Sequence, residues 1–162
     1  MIRTLFLCLV LASGINGILA GVNLDRYIVQ VPAFRRLPID QWVEYVRVAD
    51  LRTGLVWYPL LAVLSLATTL SVDWFYVLDP FEPALATALD LTTVLVVGGL
   101  IATMGAAPTL LRLRRGVPAD GHAVFVRFHR WGLIRAACQT LAFVSSVWAL
   151  LEIGGVFTVD LF

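Results

Sequence analysis

The sequence predicts an all-α protein: an integral membrane four-helix bundle with up-down topology and a short amphipathic helix between spans one and two. Two observations carry this prediction. Of the 162 residues, 60% are hydrophobic and 14% are charged, whereas an ordinary soluble domain has about 45–50% apolar and about 25% charged residues. The apolar residues are also concentrated in four stretches, each near the roughly 20 residues that cross a bilayer.

The four predicted spans cover residues 5–24, 55–72, 84–107 and 131–153, so residues 1–162 form a single membrane domain. Prolines separate them, because proline ends or kinks a helix. Arg3 followed by an apolar run also resembles a secretory signal. No small-x-small cleavage site follows that run, which favours a membrane anchor.

The sign of the charged residues alternates from one connection between spans to the next. The two connections that follow spans one and three are rich in arginine: Arg26, Arg35, Arg36, Arg47 and Arg52, then Arg112, Arg114, Arg115, Arg127 and Arg130. The connection between spans two and three is acidic. Since short arginine-rich loops stay cytoplasmic, we expect a multi-pass protein of the cell membrane with both termini outside. The net charge of +1 gives no reason to expect a nucleic-acid partner.

The segment from Pro38 to Arg52 predicts the amphipathic helix. Charged residues lie between apolar residues that recur at helical spacing. The apolar residues are Ile39, Trp42, Val43, Val46 and Ala49. We expect this helix to lie on the inner membrane surface or to cap the bundle.

Small residues predict which spans pack together. Span one carries Ser13, Gly17 and Gly21 at four-residue spacing, and span three carries Gly98 and Ala102 in the same pattern. Small residues let membrane helices approach closely, so spans one and three are the expected central pair.

Polar residues inside the spans need partners or a function. Asn16 and Asn23 share one stripe of span one, and either hydrogen bonds between helices or contact with a substrate would satisfy them. Asp90 lies about two turns inside span three, where an acid is costly unless it faces the bundle interior or water. Its functional interpretation is a base, and its structural one is an acid at a helix start.

Asp25 and Arg135 lie at similar depth in the predicted bundle, which makes them a plausible ion pair. Gln139, one turn deeper than Arg135, is a further hydrogen-bond partner. Asp90 and Arg135 lie near opposite faces of the bilayer and are poor partners for each other.

Histidine and cysteine give no sign of a metal or cofactor site. His122 and His129 precede span four, where we expect them to face water or lipid headgroups. Cys8 and Cys138 lie too far apart in depth for a disulfide, so two free thiols are predicted.

In several local patterns the sequence resembles a family of small four-helix membrane proteins, mostly of unknown function, that includes the anthrone oxygenases. They are the small-residue run from Gly17 to Gly21, Pro32-Ala33-Phe34, Leu37-Pro38, Tyr58-Pro59 and the stretch from Trp131 to Arg135. The family has an asparagine within the last stretch, which this sequence lacks.

The resemblance implies an oxygenase that works without a metal, a flavin or any other cofactor. A base takes a proton from an activated aromatic ketone, and the carbanion then meets dioxygen directly. On this hypothesis Asp90 or Asp25 is the base, and Asn16, Asn23 and Arg135 stabilise an enolate oxygen.

A non-catalytic function remains open. The chain would then be an integral subunit that packs against a larger membrane-protein complex through its apolar surface. The expected partners are the lipid bilayer and either other membrane proteins or further copies of the chain. A transporter is a third interpretation, but four spans would have to oligomerise to enclose a pathway.

Overall fold

The protein is helical almost throughout. The computed structural model describes residues 2–80 and 82–159, with side chains described up to residue 155, and this part contains no strand. Its α-helices are α1 (Ile2–Asp25), α2 (Val31–Phe34), α3 (Ile39–Val48), α4 (Leu55–Leu78), α5 (Pro83–Arg112) and α6 (Gly121–Val159). The predicted all-α class is confirmed.

Four helical stretches are long and apolar enough to cross a membrane: Ile2–Phe34, Ile39–Leu78, Pro83–Arg115 and Gly121–Gly155. The predicted number of helices of membrane-crossing length and apolarity is therefore confirmed. Each stretch extends beyond the predicted apolar segment, most of all the second, which begins 16 residues before residue 55. Helix does not stop where hydropathy falls, because the arginine-rich ends remain good helix formers.

Two wider, π-helical segments interrupt the regular helices. Arg26–Gln30 joins α1 to α2, and Ala49–Gly54 joins α3 to α4. Pro32, in the turn after the first segment, has no N–H to complete a regular α-helical pattern. Segments of this kind are rare and are frequently found at functional sites.

Helix α6 is the centre of the packing, with its most extensive contacts to α5 and α1. A Cβ added to Gly17 of α1 would lie 3.0 Å from the ring of Phe143, and one added to Gly98 of α5 would lie 3.3 Å from Cys138 Sγ. The expectation that α1 and α5 form the central pair is therefore wrong. Gly17 and Gly98 do mark close approach, but both face α6, whereas Gly21 has no neighbour within 4 Å.

Apolar side chains form a cluster at each end of the bundle. One cluster joins the start of α1, the end of α4, the start of α5 and the end of α6: Leu5, Leu9, Ala12, Val72, Leu85, Ala88, Leu89, Ala149 and Ile153. The other joins α3 to the end of α5 and the start of α6: Trp42, Val43, Val46, Ala106, Leu113, Val124, Phe125 and Phe128. Of the two expected positions for the amphipathic helix, the structure shows a cap packed on the bundle.

Candidate functional site

A buried ion pair joins the two π-helical segments. Arg26 Nη2 donates to Asp50 Oδ1 at 2.5 Å, and the two side chains are 10% and 3% exposed. Arg26 begins the segment after α1, and Asp50 is the second residue of the segment after α3. Each irregular segment thus contributes one of the two charges.

Aromatic rings hold the guanidinium of Arg26 in place. Its central carbon lies 5.9 Å from the centre of the Tyr58 ring and 5.8 Å from that of Phe128. Both distances are within the range of cation–π attraction. The charge is therefore partly compensated by α4 and α6 as well as by Asp50.

Asp50 has one carboxylate oxygen without a partner. Oδ1 accepts from Arg26, whereas Oδ2 is buried and accepts no hydrogen bond from the described residues. An unsatisfied buried carboxylate oxygen is costly. Such an oxygen is an acceptor that a ligand or a water molecule can use.

A second guanidinium, that of Arg135 on α6, lies close to this pair. Arg135 Nε donates to Asn23 Oδ1 at 3.0 Å. The amide of Asn23 donates in turn to the carbonyl oxygen of Leu19, at 2.7 Å, and to Gln139 Oε1. Within the described part of the chain Arg135 forms no ion pair. The cluster therefore holds two guanidiniums against one carboxylate.

Two cavities meet at Arg26, Tyr58 and Arg135. The smaller, of about 20 Å³, is also lined by Asn23 and Gln139, and has room for about one water molecule. The larger, of about 90 Å³, lies between α4 and α5, and Asp50 is in its wall.

The larger cavity opens sideways. Its remaining wall is mostly apolar and includes Leu55, which is 39% exposed, the exposed Pro59 and the half-buried Leu110. A molecule would therefore enter between α4 and α5, on the flank of the bundle and not at its end.

Three of the residues singled out from the sequence meet in this cluster: Asn23, Arg135 and Gln139. Asn16 lies elsewhere. Its Oδ1 accepts a hydrogen bond from Ser65 Oγ at 2.6 Å, while its Nδ2 is buried without a described partner. The expected hydrogen bond between helices is thus present at Asn16.

The two predicted bases lie outside the cluster. Asp25 is exposed and accepts from Gln30 Nε2 at 2.7 Å, so the expected pair of Asp25 with Arg135 is wrong. The reason is helical phase, because Asn23 occupies the buried face and Asp25, two residues on, points outward. Asp90 is exposed on α5 and lines neither cavity.

The two histidines differ in environment. His129 is buried, with Nδ1 2.8 Å from the carbonyl oxygen of Phe125 and its ring 6.0 Å from that of Trp42, whereas His122 is exposed. The expectation that both face water or headgroups is therefore wrong for His129. The helix α3 covers it, which hydropathy alone does not predict.

No group of three metal-binding side chains occurs among the described residues. Cys8 and Cys138 are free thiols, as predicted.

Sequence reasoning missed Arg26 and Asp50. In the sequence Arg26 counts only as a charge that sets topology, and Asp50 is one of the charged residues between the apolar positions of the segment from Pro38 to Arg52. A usable signal existed, since Arg26 follows Asn23 by three residues and Asp50 follows Val46 by four, so both continue a buried stripe.

No family model, no curated protein and no solved structure matches the chain. The function of the cluster therefore has to be inferred from its own geometry.

Proposed function

We propose that this chain is a multi-pass membrane protein that takes up an apolar ketone from the bilayer and enolises it beside Asp50. Enolisation would be the first step of a cofactor-independent oxygenation, as the resemblance to the anthrone oxygenases implies. The observation that carries the proposal is the unpartnered Oδ2 of Asp50, buried in a cavity wall next to two arginines.

Membrane insertion is supported by the apolar outer surface. Helix α4 buries only Ser65, Thr69 and Val72, while large apolar side chains point outward along it: Val56, Leu60, Val63, Leu70 and Val77. Such a surface is stable in lipid and unfavourable in water.

An up-down topology in the cell membrane, with the termini outside and the arginine-rich connections in the cytoplasm, forms part of the proposal. It is supported by the apolar cluster that joins the starts of α1 and α5 to the ends of α4 and α6. Reporters fused to the two termini should both report the outside compartment, and opposite compartments would contradict the topology.

The side opening of the larger cavity supports uptake from lipid. Its walls are mostly apolar, and its charged lining residues are Arg26, Asp50 and Arg135. A three-ring ketone is larger than the 90 Å³ cavity, so α4 has to move away from α5 to admit it. These two helices share the least extensive contact among the four neighbouring pairs of long helices.

The charges suit the formation of an enolate. Oδ2 of Asp50 accepts a proton from the carbon beside the carbonyl, while Arg26 holds Oδ1 and fixes the carboxyl group. The negative charge moves from Asp50 to the enolate oxygen, where Arg135 and Arg26 stabilise it. The three side chains and the ligand together carry a charge of about +1 before and after this transfer.

Dioxygen then oxidises the enolate carbon. For a ketone with a reactive CH₂ group, one oxygen atom of O₂ enters the product as C=O. The other leaves as water with the two hydrogen atoms. The residues of this chain bind and orient the ketone and move its proton. Asp50 thus replaces Asp25 and Asp90 as the proposed base, because only Asp50 lines the cavity.

The test measures ketone-dependent oxygen consumption by the purified protein in detergent, with an anthrone as the probe. Asp50→Asn is expected to lower the rate by about 10²–10⁴-fold, the usual contribution of a general base. The matched controls Asp25→Asn and Asp90→Asn, which alter exposed acids, should keep the rate.

Helix content and elution volume verify that each variant is folded. If Asp50→Asn does not fold, Arg135→Gln takes its place, with an expected loss of about 10²–10³-fold. Retained oxygen consumption in the folded Asp50 or Arg135 variant, or its loss in both controls, would contradict the proposal.

A second function, that of a non-catalytic subunit, is favoured by the same uncovered face of α4. In that case purification in mild detergent should recover another membrane protein in fixed ratio, and substitution of Leu60 or Val63 by Trp should release it. Recovery of the chain alone, as one copy or several, would count against the subunit.

A further inference from the structure

A second, wider groove lies outside the cluster described above, between the α1–α2 stretch and the start of α6. Its volume is about 470 Å³. One wall runs from Tyr27 to Arg35, and the other from His122 to Leu133. The groove shares no lining residue with either of the two cavities at Arg26.

We propose that this groove binds the phosphate of an anionic phospholipid between Arg35 and Arg130, with an acyl chain against Leu133. The proposal rests on the membrane insertion argued above, but not on the enzymatic activity.

Charge is the first argument. Arg35 and Arg130 stand on different walls of the groove, both are exposed, and neither side chain forms an ion pair or hydrogen bond with the described residues. No aspartate or glutamate lines the groove. Two unpaired guanidiniums around one space match a phosphate, which accepts paired hydrogen bonds from arginine.

Position and shape are the second argument. Tyr27 to Arg35 follows the apolar segment 5–24, and His122 to Leu133 crosses the start of the apolar segment 131–153, so both walls lie where apolar and polar sequence meet. Lipid headgroups occupy that level. Part of the lining is apolar, with Val31 buried and Leu133 57% exposed. A soluble anion would use the arginines but leave this apolar surface uncovered.

A neighbouring groove of about 540 Å³ makes a useful contrast. It holds Arg127 and Arg130, but all of its lining residues come from the first turns of α6. Of these two grooves, the one with Arg35 is built from two elements with an arginine on each.

The experiment counts bound lipids and measures their affinity on the full chain in neutral detergent, by native mass spectrometry. Phosphatidylglycerol is the probe, and phosphatidylcholine is the neutral comparison. Arg35→Gln combined with Arg130→Gln is expected to weaken phosphatidylglycerol binding about 30-fold, at about fivefold for each arginine near a headgroup. The control, Arg36→Gln combined with Arg114→Gln, removes the same charge from exposed residues outside the groove and should keep the affinity.

A second pair of variants tests the groove without changing an arginine, and its control carries the same substitution at the neighbouring residue. Leu133→Glu places a carboxylate in the groove, whereas Ile134→Glu places one beside it, at a residue that is 49% exposed and outside this groove. Only Leu133→Glu should weaken binding.

Three results would overturn the proposal. The chain could bind phosphatidylcholine as tightly as phosphatidylglycerol, or the control variants could lose as much affinity as the groove variants. Soluble glycerol phosphate could also displace phosphatidylglycerol as well as the phospholipid itself does, which would indicate a soluble anion as the occupant. Failure of the chain to enter membranes would instead overturn the insertion. Oxygen consumption tests the proposed enzymatic activity at Asp50 and Arg135, and its outcome does not bear on the lipid site.

Discussion

Replacing Asp50 by Leu should destabilise the protein more than replacing Arg26 by Met, although each change breaks the same ion pair. The asymmetry comes from Arg135. Without Arg26, the carboxylate of Asp50 still has one guanidinium in the wall of the same cavity. Without Asp50, two guanidiniums of like charge remain in the wall of that cavity, Arg26 buried and Arg135 half-buried.

The magnitudes follow from burial. Removal of one partner of a buried pair costs about 3–5 kcal/mol, whereas replacement of both by apolar groups is often neutral. We therefore expect about 3 kcal/mol for Arg26→Met, about 5 kcal/mol for Asp50→Leu and about 1 kcal/mol or less for the double variant. The double variant leaves Arg135 hydrogen-bonded to Asn23, as in the native protein.

The assay is reversible unfolding in mixed micelles, followed by tryptophan fluorescence and helix content. Trp42 is a suitable probe, because it is 1% exposed in the cap formed by α3. Equal costs for the two single variants would refute the role given to Arg135. A double variant whose cost equals the sum of the two would refute the pair itself.

Three further outcomes are expected from the packing and can be measured by the same assay. Gly132→Ala should cost about 1–3 kcal/mol, because the added methyl group meets the hydroxyl of Tyr27; an unchanged stability would place that ring elsewhere. Gly14→Ala meets nothing within 4 Å, so it should be neutral or stabilise by up to about 1 kcal/mol, and a clear loss would reveal a neighbour there. Ser65→Ala should cost about 1 kcal/mol, because it leaves Asn16 with no described partner, and a second change, Asn16→Leu, should restore stability if the hydrogen bond is the cause.

The sequence predicted the elements better than their arrangement. Apolar length predicts four membrane-crossing helices because bilayer thickness fixes that length. The spacing of Trp42, Val43 and Val46 predicts the buried face of α3. Neither pattern contains the identity of the neighbouring helix. The stripes at Gly17 and Gly98 indicate close approach but not its partner, and both proved to face α6.

The sequence predicts only part of the candidate site, again because it does not contain the identity of the neighbouring helix. Asn23 and Arg135 stood out as polar residues in apolar spans, but the contact between them joins residues 112 apart in the chain. Arg26 and Asp50 lie where apolar spans give way to charged connections, so local composition hid them. Their burial depends on the π-helical segments and on the cap, which no local rule of hydropathy predicts.

The segment Ala49–Gly54 holds one residue per turn more than a regular helix would. Because the wider turn accommodates the extra residue, the side chains that follow keep the directions they would have after a regular helix one residue shorter. The position of Tyr58 beside Arg26 is therefore a matter of residue number as much as of residue type. A residue inserted into Ala49–Gly54 would have no second wide turn to accommodate it, and would rotate Tyr58 by about 100° away from Arg26 while scarcely altering the hydropathy profile. In this region a one-residue insertion is a more drastic change than most substitutions.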